Sequence, residues 1–426
     1  MTIDYQGPRT CESPDACDSP AERETAIGRG IAERLQRALV ASLLPARCEH
    51  GELAIALPTK ATVTCCSGRP GPHARLVVHR WRGLGRILLG GKLGFAEAFI
   101  DGDIDCPDLD RLFHWALANE AALARIGGGS LLVRLAARIR HRANANTLSG
   151  SRRNIAAHYD LGNDFYAAWL DRGMSYSSAL YENGRAQSLE DAQEAKLDRI
   201  LAMLDLKGGE RVLEIGCGWG GLVERLIASG AAGVTALTLS ERQRDYTLAR
   251  LRTAGLSDRA DIRLTDYREI GGSYDRIVSI EMIEAVGERY WPVYFETLRS
   301  RLAPGGHAVV QAITIRQDRF EDYRREPDFI QRYIFPGGML PTTTAIATEA
   351  ARAGLVLSSS FAFGPSYALT LAAWRHRFLA RWPDLALMGF DERFRRMWTY
   401  YLAYCEAGFA TGELDVGLFR LERPAS

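Results

Sequence analysis

The sequence predicts an α/β protein, in which a small α+β domain precedes a mostly parallel, doubly wound sheet. Two observations favour this fold class. From residue 155 onward, short apolar runs that suit buried strands alternate with segments of helical periodicity. The chain has 426 residues, which suggests two or three domains.

The amino-terminal part of the chain predicts a lead-in followed by a small domain. Residues 1–26 are rich in Pro, Ser, Asp and Glu, a composition that predicts a disordered lead-in. Residues 27–125 predict the small α+β domain, with a helix over 31–44 and strands over 53–58 and 75–79.

The segment over 126–153 predicts a basic linker. From residue 131 onward it contains no acidic residue and six arginines, which are Arg134, Arg138, Arg140, Arg142, Arg152 and Arg153. Leucine and isoleucine recur there at helical spacing, so one interpretation is an amphipathic segment on an anionic membrane or a partner. The alternative is a solvated helix that packs its apolar stripe on the protein body.

Residues 154–426 predict the larger domain. Its predicted strands lie over 211–215, 232–239, 260–264, 276–280 and 307–314, and its predicted helices include 222–228 and one that begins near 241. A polar, aromatic insertion over 320–345 interrupts this order, and mixed helix and strand return over 350–420.

Charge and cysteine content exclude several classes of partner. Basic and acidic residues nearly balance, with a net charge of +1, so a chain-wide field for nucleic acid is absent. The eight cysteines show no spacing typical of a metal site, so no metal is expected. No run of 18 apolar residues predicts a membrane span, and the acidic first 30 residues do not predict a signal peptide. A cytoplasmic protein with reduced thiols is therefore expected.

A glycine-rich turn after the first strand of the larger domain is the most informative motif. Glu214, Gly216, Gly218 and Gly220 form the pattern E-x-G-x-G-x-G. Glycines in such a turn permit positive φ angles and let a ligand approach the backbone at the carboxyl end of a strand. The pattern is neither a Walker loop nor a clean dinucleotide loop. The alternative is a glycine-rich turn without a ligand.

Seven ordered motifs in this chain together resemble the cyclopropane-fatty-acyl-phospholipid synthase family, which includes the mycolic-acid cyclopropane synthases. They are HYDLGNDF from residue 158, MSYSS from 174, QEAK from 193, GCGWGG from 216, LTLS from 237, YIFPGG from 333 and RMWTYYL from 396. The resemblance covers roughly residues 150–424, and residues 27–125 more faintly resemble the small domain of phospholipid-acting members. It implies a Rossmann-like class I methyltransferase domain.

The resemblance implies S-adenosylmethionine as cofactor. The residues expected to bind it are Tyr159, Tyr176, Ser177, Glu214, Gly216, Gly218, Gly220, Thr238, Ser240, Gln243, Asp266 and Tyr267. No acid stands at the tip of the second strand, so the hydroxyls of Thr238 and Ser240 and the amide of Gln243 would take its place. The Asp266–Tyr267 pair suits an adenine contact, and the alternative for it is an ordinary loop acid beside a half-buried ring.

The activity that the resemblance implies is transfer of the sulfonium methyl group to a cis double bond of an unsaturated phospholipid acyl chain. The alkene is a weak nucleophile, so the protein must align it in a dry pocket. The carbocation that results closes a cyclopropane when the added methyl loses a proton, which bicarbonate is thought to take in the family. The residues that match the family's catalytic and bicarbonate positions are Glu284, Tyr367, Ser178, Gln311 and Ile313.

Three departures from the family pattern leave the product open. Ser178 stands where the family has cysteine, Gln311 where it has histidine, and Ala285 where histidine usually follows the glutamate. Serine and glutamine can still bind an anion. The alternative is a methylene- or methyl-branched chain without ring closure. Tyr333 and Phe335 are candidates to border the cation, with core packing as the alternative.

The expected partner is an unsaturated phospholipid, reached by a cytoplasmic protein bound peripherally at the inner face of the membrane. Family members are often dimeric, so a homodimer is an expectation, although the sequence shows no interface. A non-enzyme alternative is a lipid-binding protein that has lost catalysis.

Overall fold

The computed structural model of this chain describes residues 40, 48–124, 161–325 and 328–425. Several predictions fall outside these ranges. They are the lead-in over 1–26, nearly all of the helix over 31–44, the basic segment over 126–153 and the cofactor residue Tyr159.

A four-stranded sheet with the order β2-β1-β3-β4 forms the amino-terminal unit. Its strands are β1 (Glu52–Ala56), β2 (Thr62–Cys66), β3 (His73–Val78) and β4 (Ile104–Asp105), and its helices are α1 (Trp81–Ile100), α2 (Leu109–Ala118) and α3 (Glu120–Ala124). Strands β1 and β3 overlap the predicted strands, but β2 was not predicted. Its run of β-branched residues is short and mostly exposed, which gives little apolar pattern to recognise.

A seven-stranded sheet with the order β10-β11-β9-β8-β5-β6-β7 forms the centre of the larger unit. Its strands are β5 (Arg211–Ile215), β6 (Gly233–Thr238), β7 (Ala260–Leu264), β8 (Tyr274–Ile280), β9 (Leu302–Ile315), β10 (Val356–Ala362) and β11 (Leu414–Glu422). Strands β5 to β9 pair in parallel, whereas β11 pairs antiparallel with β9 and β10. The predicted fold class is thereby confirmed.

Helices connect and cover this sheet. They are α4 (Asn163–Ala167), α5 (Leu189–Leu204), α6 (Gly221–Ala228), α7 (Glu241–Thr253), α8 (Trp291–Arg301), α9 (Phe320–Arg325), α10 (Thr343–Arg352), α11 (Gly364–Ala380), α12 (Trp382–Leu387) and α13 (Glu392–Ala410). Strands covered on both faces are rich in apolar residues, and β5 fits this, because four of its five residues are buried and three of those, Val212, Leu213 and Ile215, are apolar.

Strand register brings the carboxyl ends of the parallel strands together. Ile215 at the end of β5 lies beside Leu237 on β6 and Ser279 on β8, and Ile280 lies beside Gln311 on β9. The turns that follow β5, β6 and β8 therefore meet at one edge of the sheet, where ligands bind in open α/β sheets.

Among the described helices, none is both long enough and apolar enough to cross a membrane.

Candidate active site

A cavity of about 1340 Å³ opens at this edge of the large sheet and continues into the amino-terminal unit. One end is lined by the turns after β5, β6 and β8. The other end is lined by apolar side chains of both units, which include Ile55, Leu76, Leu112, Phe113, Phe329 and Leu414. A cavity with a polar end and a long apolar end suits an amphipathic ligand or two different ligands side by side.

The glycine-rich turn has the conformation that the sequence predicts. Gly216, Gly218 and Gly220 have φ angles of 87°, 52° and 82°. Gly216 and Gly218 line the cavity, and no described atom lies within 4 Å of the position a Gly218 Cβ would take. Gly220 lies at the start of α6, where a Cβ would come within 2.6 Å of Thr247, so its role is close packing.

Glu214, the last residue but one of β5, is a buried carboxylate beside this turn. Its side chain is 3% exposed, and its Oε2 has no hydrogen-bond partner among the described residues. Burial raises the pKa of Glu214 to about 8, against the opposing effect of the Lys196 charge. A buried acceptor aimed into a cavity fits a ligand that brings its own donors, as the ribose hydroxyls and amine of S-adenosylmethionine do.

Three candidate residues, Thr238, Ser240 and Gln243, lie at and just after the end of β6, and two of them line the cavity. Thr238 and Gln243 line it, and the Thr238 hydroxyl donates to Gln243 Oε1 at 2.9 Å. Ser240 instead caps α7, because its hydroxyl accepts from the Gln243 N–H at 3.3 Å.

Of the candidate residues Asp266 and Tyr267, the structure likewise brings only one to the cavity. Tyr267 is nearly buried and lines the cavity. The Asp266 carboxylate is not among the lining groups and accepts from Arg268 Nε at 2.8 Å and Nη2 at 2.7 Å. This bidentate ion pair with Arg268 fixes Asp266 within its loop. The ring of the adjacent Tyr267 is therefore the group available to a ligand.

Residues of the segment MSYSS also line the cavity. Ser177 accepts a hydrogen bond at 3.0 Å from the buried ammonium of Lys196, and the Tyr176 and Tyr401 hydroxyls lie 2.9 Å apart. Burial lowers the pKa of Lys196, and the carboxylates Glu281 and Glu214 oppose that effect. The Lys196 amine therefore lies close enough to Glu281 and Glu214 for their carboxylates to favour its charged form.

Three of the five predicted catalytic residues converge on a group that was not predicted, the carboxylate of Glu281. Tyr367 Oη donates to Glu281 Oε2 at 2.6 Å. Gln311 Nε2 and the Ser178 backbone N–H donate to Glu281 Oε1 at 2.7 and 2.8 Å. The Ser178 hydroxyl itself is turned away and donates to the Ala179 carbonyl at 3.0 Å.

The other two predicted catalytic residues pair with each other. The Ile313 N–H donates to Glu284 Oε1 at 2.5 Å, and Glu284 Oε2 has no partner among the described residues. Burial, and then the neighbouring charge of Glu281, raise the pKa of Glu284 to about 8. Burial also raises the pKa of Glu281, and its hydrogen bonds from Tyr367, Ser178 and Gln311 oppose that effect.

These contacts bear directly on bicarbonate. The backbone N–H groups of Ser178 and Ile313, the Tyr367 hydroxyl and one N–H of the Gln311 amide are already bound to carboxylates of the chain. A second anion would also lie beside the charge of Glu281, which disfavours it. The side chains as arranged do not fit bicarbonate.

The two candidate aromatic residues of the insertion have different surroundings. Phe335 lines the cavity and meets Tyr401 edge-on, with ring centres 6.4 Å apart. Tyr333 donates its hydroxyl to Glu97 of α1 at 2.8 Å and so joins the two units. Of the two, the structure brings Phe335 to the cavity.

Within the described part of the chain, no group of three or more His, Cys, Asp or Glu side chains is placed to hold a metal ion.

Two residues of this site were missed by sequence reasoning. Glu281 directly follows β8, so its position at the carboxyl end of a parallel strand was a signal that could have found it. Lys196 belongs to the QEAK motif that contributes to the family resemblance, but no role at the site was predicted for it.

Comparisons with known proteins agree with this geometry. Residues 147–419 match the family model described as Mycolic acid cyclopropane synthetase. Tuberculostearic acid methyltransferase UfaA1 of Mycobacterium tuberculosis is 39% identical over 96% of this chain and 95% of its own length. Cyclopropane-fatty-acyl-phospholipid synthase of Escherichia coli is 37% identical over 78% of this chain and 83% of its own length.

Solved structures give the same result. Mycolic acid cyclopropane synthase CmaA1, complexed with SAH and CTAB, superposes with a TM-score of 0.59 at 28% identity, over 64% of this chain and 98% of its own. Cyclopropane synthase MmaA2 of Mycobacterium tuberculosis gives a TM-score of 0.59 at 30% identity over the same shares.

Proposed function

The chain belongs to the mycolic acid cyclopropane synthetase family of S-adenosylmethionine-dependent methyltransferases, and from this premise we propose its acceptor and product. The acceptor is a cis double bond in an unsaturated phospholipid acyl chain, and the product is a cyclopropane fatty acyl chain. The coarser activity, methyl transfer to an acyl chain, is that of its family.

The observation that carries the proposal is the continuous cavity between the glycine-rich turn and the amino-terminal sheet. Its polar end has the buried acceptor Glu214, and its other end is a long apolar surface. An acyl chain that follows this surface would lose its water shell, which favours binding by roughly 0.8 kcal/mol for each buried CH₂. The same surface keeps water from a reactive cation.

The residues that would hold S-adenosylmethionine are those at the polar end of the cavity. Glu214 and Gln243 offer acceptors, Gly216 and Gly218 allow close approach of the backbone, and Tyr267 offers a ring face. When bound, this cofactor supplies a methyl group on a positively charged sulfur. Aromatic groups along the cavity, among them Tyr401, stabilise positive charge on the acceptor through their ring faces.

Lipid analysis after expression in bacteria that lack their own synthase tests the proposal. We expect phospholipid acyl chains one carbon heavier than the unsaturated parent, with proton NMR signals of ring hydrogens. Cyclopropane and methylene products are isomers, so mass alone does not separate them. Lipids without any cyclopropane, methylene or methyl-branched chain would contradict the proposal.

A second candidate product, a methylene- or methyl-branched chain, is favoured by a specific observation. Glu281 occupies the anion position that the family resemblance gives to bicarbonate, so the groups around the cation differ from the family pattern. The similar protein UfaA1 is also named for tuberculostearic acid and not for a cyclopropane. Restoring the family residues with Ser178→Cys and Gln311→His would then raise the cyclopropane share in the lipid analysis.

The proposed phospholipid substrate leads to two further proposals, one for the domain organisation and one for the location of the protein in the cell. We propose a small lipid-associated domain over 27–125, a basic linker over 126–153 and a methyltransferase domain over 154–426 with a lipid-facing insertion near 320–345. The protein would act as a peripheral, cytoplasmic enzyme at the inner membrane face. A homodimer is the proposed assembly, which sedimentation analysis tests.

Replacement of Arg138, Arg140 and Arg142 by serine is expected to weaken binding to vesicles that contain anionic phospholipid. Each basic residue near such a surface contributes about 1 kcal/mol, and salt screens that attraction. Co-sedimentation with vesicles at low and high salt measures the effect. Equal binding of the variant and the parent protein at low salt would contradict a membrane role for this segment.

Substitution of Gly218 by valine is expected to lower the affinity for S-adenosylhomocysteine by at least about 10-fold, as measured by calorimetry. Because no described atom lies near its Cβ position, the added side chain would occupy the space proposed for the ligand. Gly255→Val is a matched control, since Gly255 has a φ of 68° and equally open surroundings outside the cavity. Equal affinities of the two variants would place the cofactor elsewhere, and no binding heat in the parent protein would favour a lipid-binding protein without catalysis.

A further inference from the structure

The donors around Glu281 form a complete binding site for one carboxylate. Tyr367, Gln311 and the backbone N–H of Ser178 supply three hydrogen bonds of 2.6–2.8 Å. The family resemblance assigns these three positions to bicarbonate. In this chain the same donors hold a carboxylate that is covalently part of the protein.

The backbone at Glu281 is held in an unusual conformation. Its φ angle is +48°, in the left-handed region that side-chain-bearing residues rarely adopt. Such a conformation is strained and persists where surrounding interactions enforce it. Here the Glu281 N–H also donates to the Gln311 carbonyl at 2.9 Å, so the backbone and side chain of Glu281 are both fixed against β9.

Glu281 is the carboxylate of the site on which three donors converge. Burial raises its pKa, whereas the hydrogen bonds from Tyr367, the Ser178 N–H and Gln311, together with the charge of Lys196, oppose that rise and favour the ionised form. Glu284, the other acid of the site, has a pKa raised to about 8 and is mostly protonated near neutral pH. Glu281 and Glu284 both line the cavity that would receive the acyl chain.

We propose that Glu281 is a built-in catalytic base, which takes the proton from the transferred methyl group and makes added bicarbonate unnecessary. This inference rests on the proposed function.

The electron balance of the step is complete without another reactant. The π pair of the alkene forms the new bond to the methyl carbon, the S–C bond breaks with its pair on sulfur, and the second alkene carbon becomes a cation. A C–H bond of the added methyl then breaks. Its proton goes to a Glu281 oxygen, and its electron pair closes the ring. If a hydride first moves between the two former alkene carbons, that pair forms a methylene double bond.

Glu281 then holds the proton as a neutral acid and gives it to water after the product leaves. Each carboxylate oxygen has two acceptor positions, so Oε2 can accept from Tyr367 and still face the substrate.

Two substitutions at this position test the proposal in buffer freed of carbon dioxide. Glu281→Gln keeps the shape of the side chain but not its basicity, and we expect at least about 100-fold lower turnover, with or without bicarbonate. Glu281→Gly suits the positive φ and frees the three donors. We expect a similar loss, with a recovery of at least about 10-fold when millimolar bicarbonate is added. The parent protein is expected to respond to bicarbonate by less than 2-fold.

A binding measurement accompanies the rates. With ¹³C-labelled bicarbonate, NMR is expected to show bound ion in the Glu281→Gly variant and none in the parent protein. Calorimetry with S-adenosylhomocysteine is expected to show parent-like affinity in both variants, which establishes that they are folded. The Glu296→Gln variant, on the exposed face of α8, controls for the loss of one negative charge outside the site, and we expect it to have parent-like turnover.

The outcomes separate this inference from the proposed function. Parent-like turnover in Glu281→Gln, or a parent protein that requires bicarbonate, would overturn the role of Glu281 while methyl transfer stands. Failure of the parent protein to modify unsaturated phospholipid would instead reject the proposed function.

Discussion

Replacing Glu214 by glutamine is expected to weaken the binding of S-adenosylhomocysteine by about 10- to 100-fold at pH 8. A buried carboxylate that accepts from ligand hydroxyls or an amine contributes roughly 1.5–3 kcal/mol, and glutamine retains one weaker acceptor. Glu214 has the required surroundings, since it is 3% exposed, lines the cavity and leaves Oε2 without a partner among the described residues.

The affinity difference is also expected to depend on pH. Because the pKa of Glu214 is raised to about 8, the ionised acceptor is a minority form at pH 7 and the dominant form at pH 9. The ratio of the parent's affinity to that of the variant should therefore rise by about 10-fold between these values. Taking the ratio cancels the titration of the ligand itself. A ratio that stays constant would show that Glu214 does not bind as an anion.

The same substitution is expected to stabilise the protein without ligand. The pKa of Glu214 is near 4.5 in an unfolded chain and about 8 in the folded one, so the folded state holds its proton more tightly. Stability of the parent protein therefore falls as pH rises through this window, and the uncharged glutamine avoids that loss. The melting temperature of Glu214→Gln should exceed the parent's at pH 8 and match it near pH 4. The exposed Glu182→Gln variant should show neither effect.

Much of the sheet could be predicted because its strands are short apolar runs with clear boundaries. The strand Ala260–Leu264 has the predicted bounds, and β5 is preceded by two glycines and followed by the glycine-rich turn. The positive φ angles at Gly216, Gly218 and Gly220 follow from the same motif. Each of these features is determined by residues that are close together in the chain. They can therefore be predicted from a single sequence.

Other features of the site depend on contacts between segments that are far apart in the chain. Such contacts cannot be read from a single sequence. The Ser178 hydroxyl faces Ala179 and its N–H faces Glu281, more than 100 residues away in the chain. Asp266 is held by Arg268, so its neighbour Tyr267 is the residue that lines the cavity. Residue type alone predicted a polar group at each position but not the direction in which it points.

Replacing Arg396 by alanine is expected to loosen the amino-terminal unit from the larger one and destabilise their junction by about 2–5 kcal/mol. Arg396 of α13 donates to the Phe99 carbonyl at 2.6 Å and the Ile104 carbonyl at 2.7 Å, and its guanidinium lies 4.2 Å from the centre of the Phe99 ring. Its side chain is only 13% exposed. Alanine would remove both of these hydrogen bonds, although the Phe99 carbonyl would keep the Gly102 N–H as a donor at 3.0 Å, and it would also remove a cation–π contact.

Arg393→Ala provides a matched control on the same helix. Arg393 pairs with Asp101 across the same junction at 3.0 Å, but its side chain is 57% exposed, so water screens the pair and its loss should cost less than about 1 kcal/mol. Melting temperature and limited proteolysis of residues 48–124 measure the difference between the variants. Equal behaviour of the two variants would show that Arg396 does not hold the junction.

The functional effect of Arg396→Ala should differ from that of Glu214→Gln. The apolar end of the cavity is built from both units, for example from Leu112 of α2 and Leu414 of β11, whereas the polar end, which we propose for the cofactor, is lined by residues of the larger unit. Loosening the junction should therefore reduce turnover of lipid while the affinity for S-adenosylhomocysteine stays within about 3-fold of the parent's. A matching loss of cofactor affinity would show that the two ends of the cavity are not independent. Unchanged lipid turnover in a variant with a loosened junction would place the acyl chain outside the amino-terminal unit.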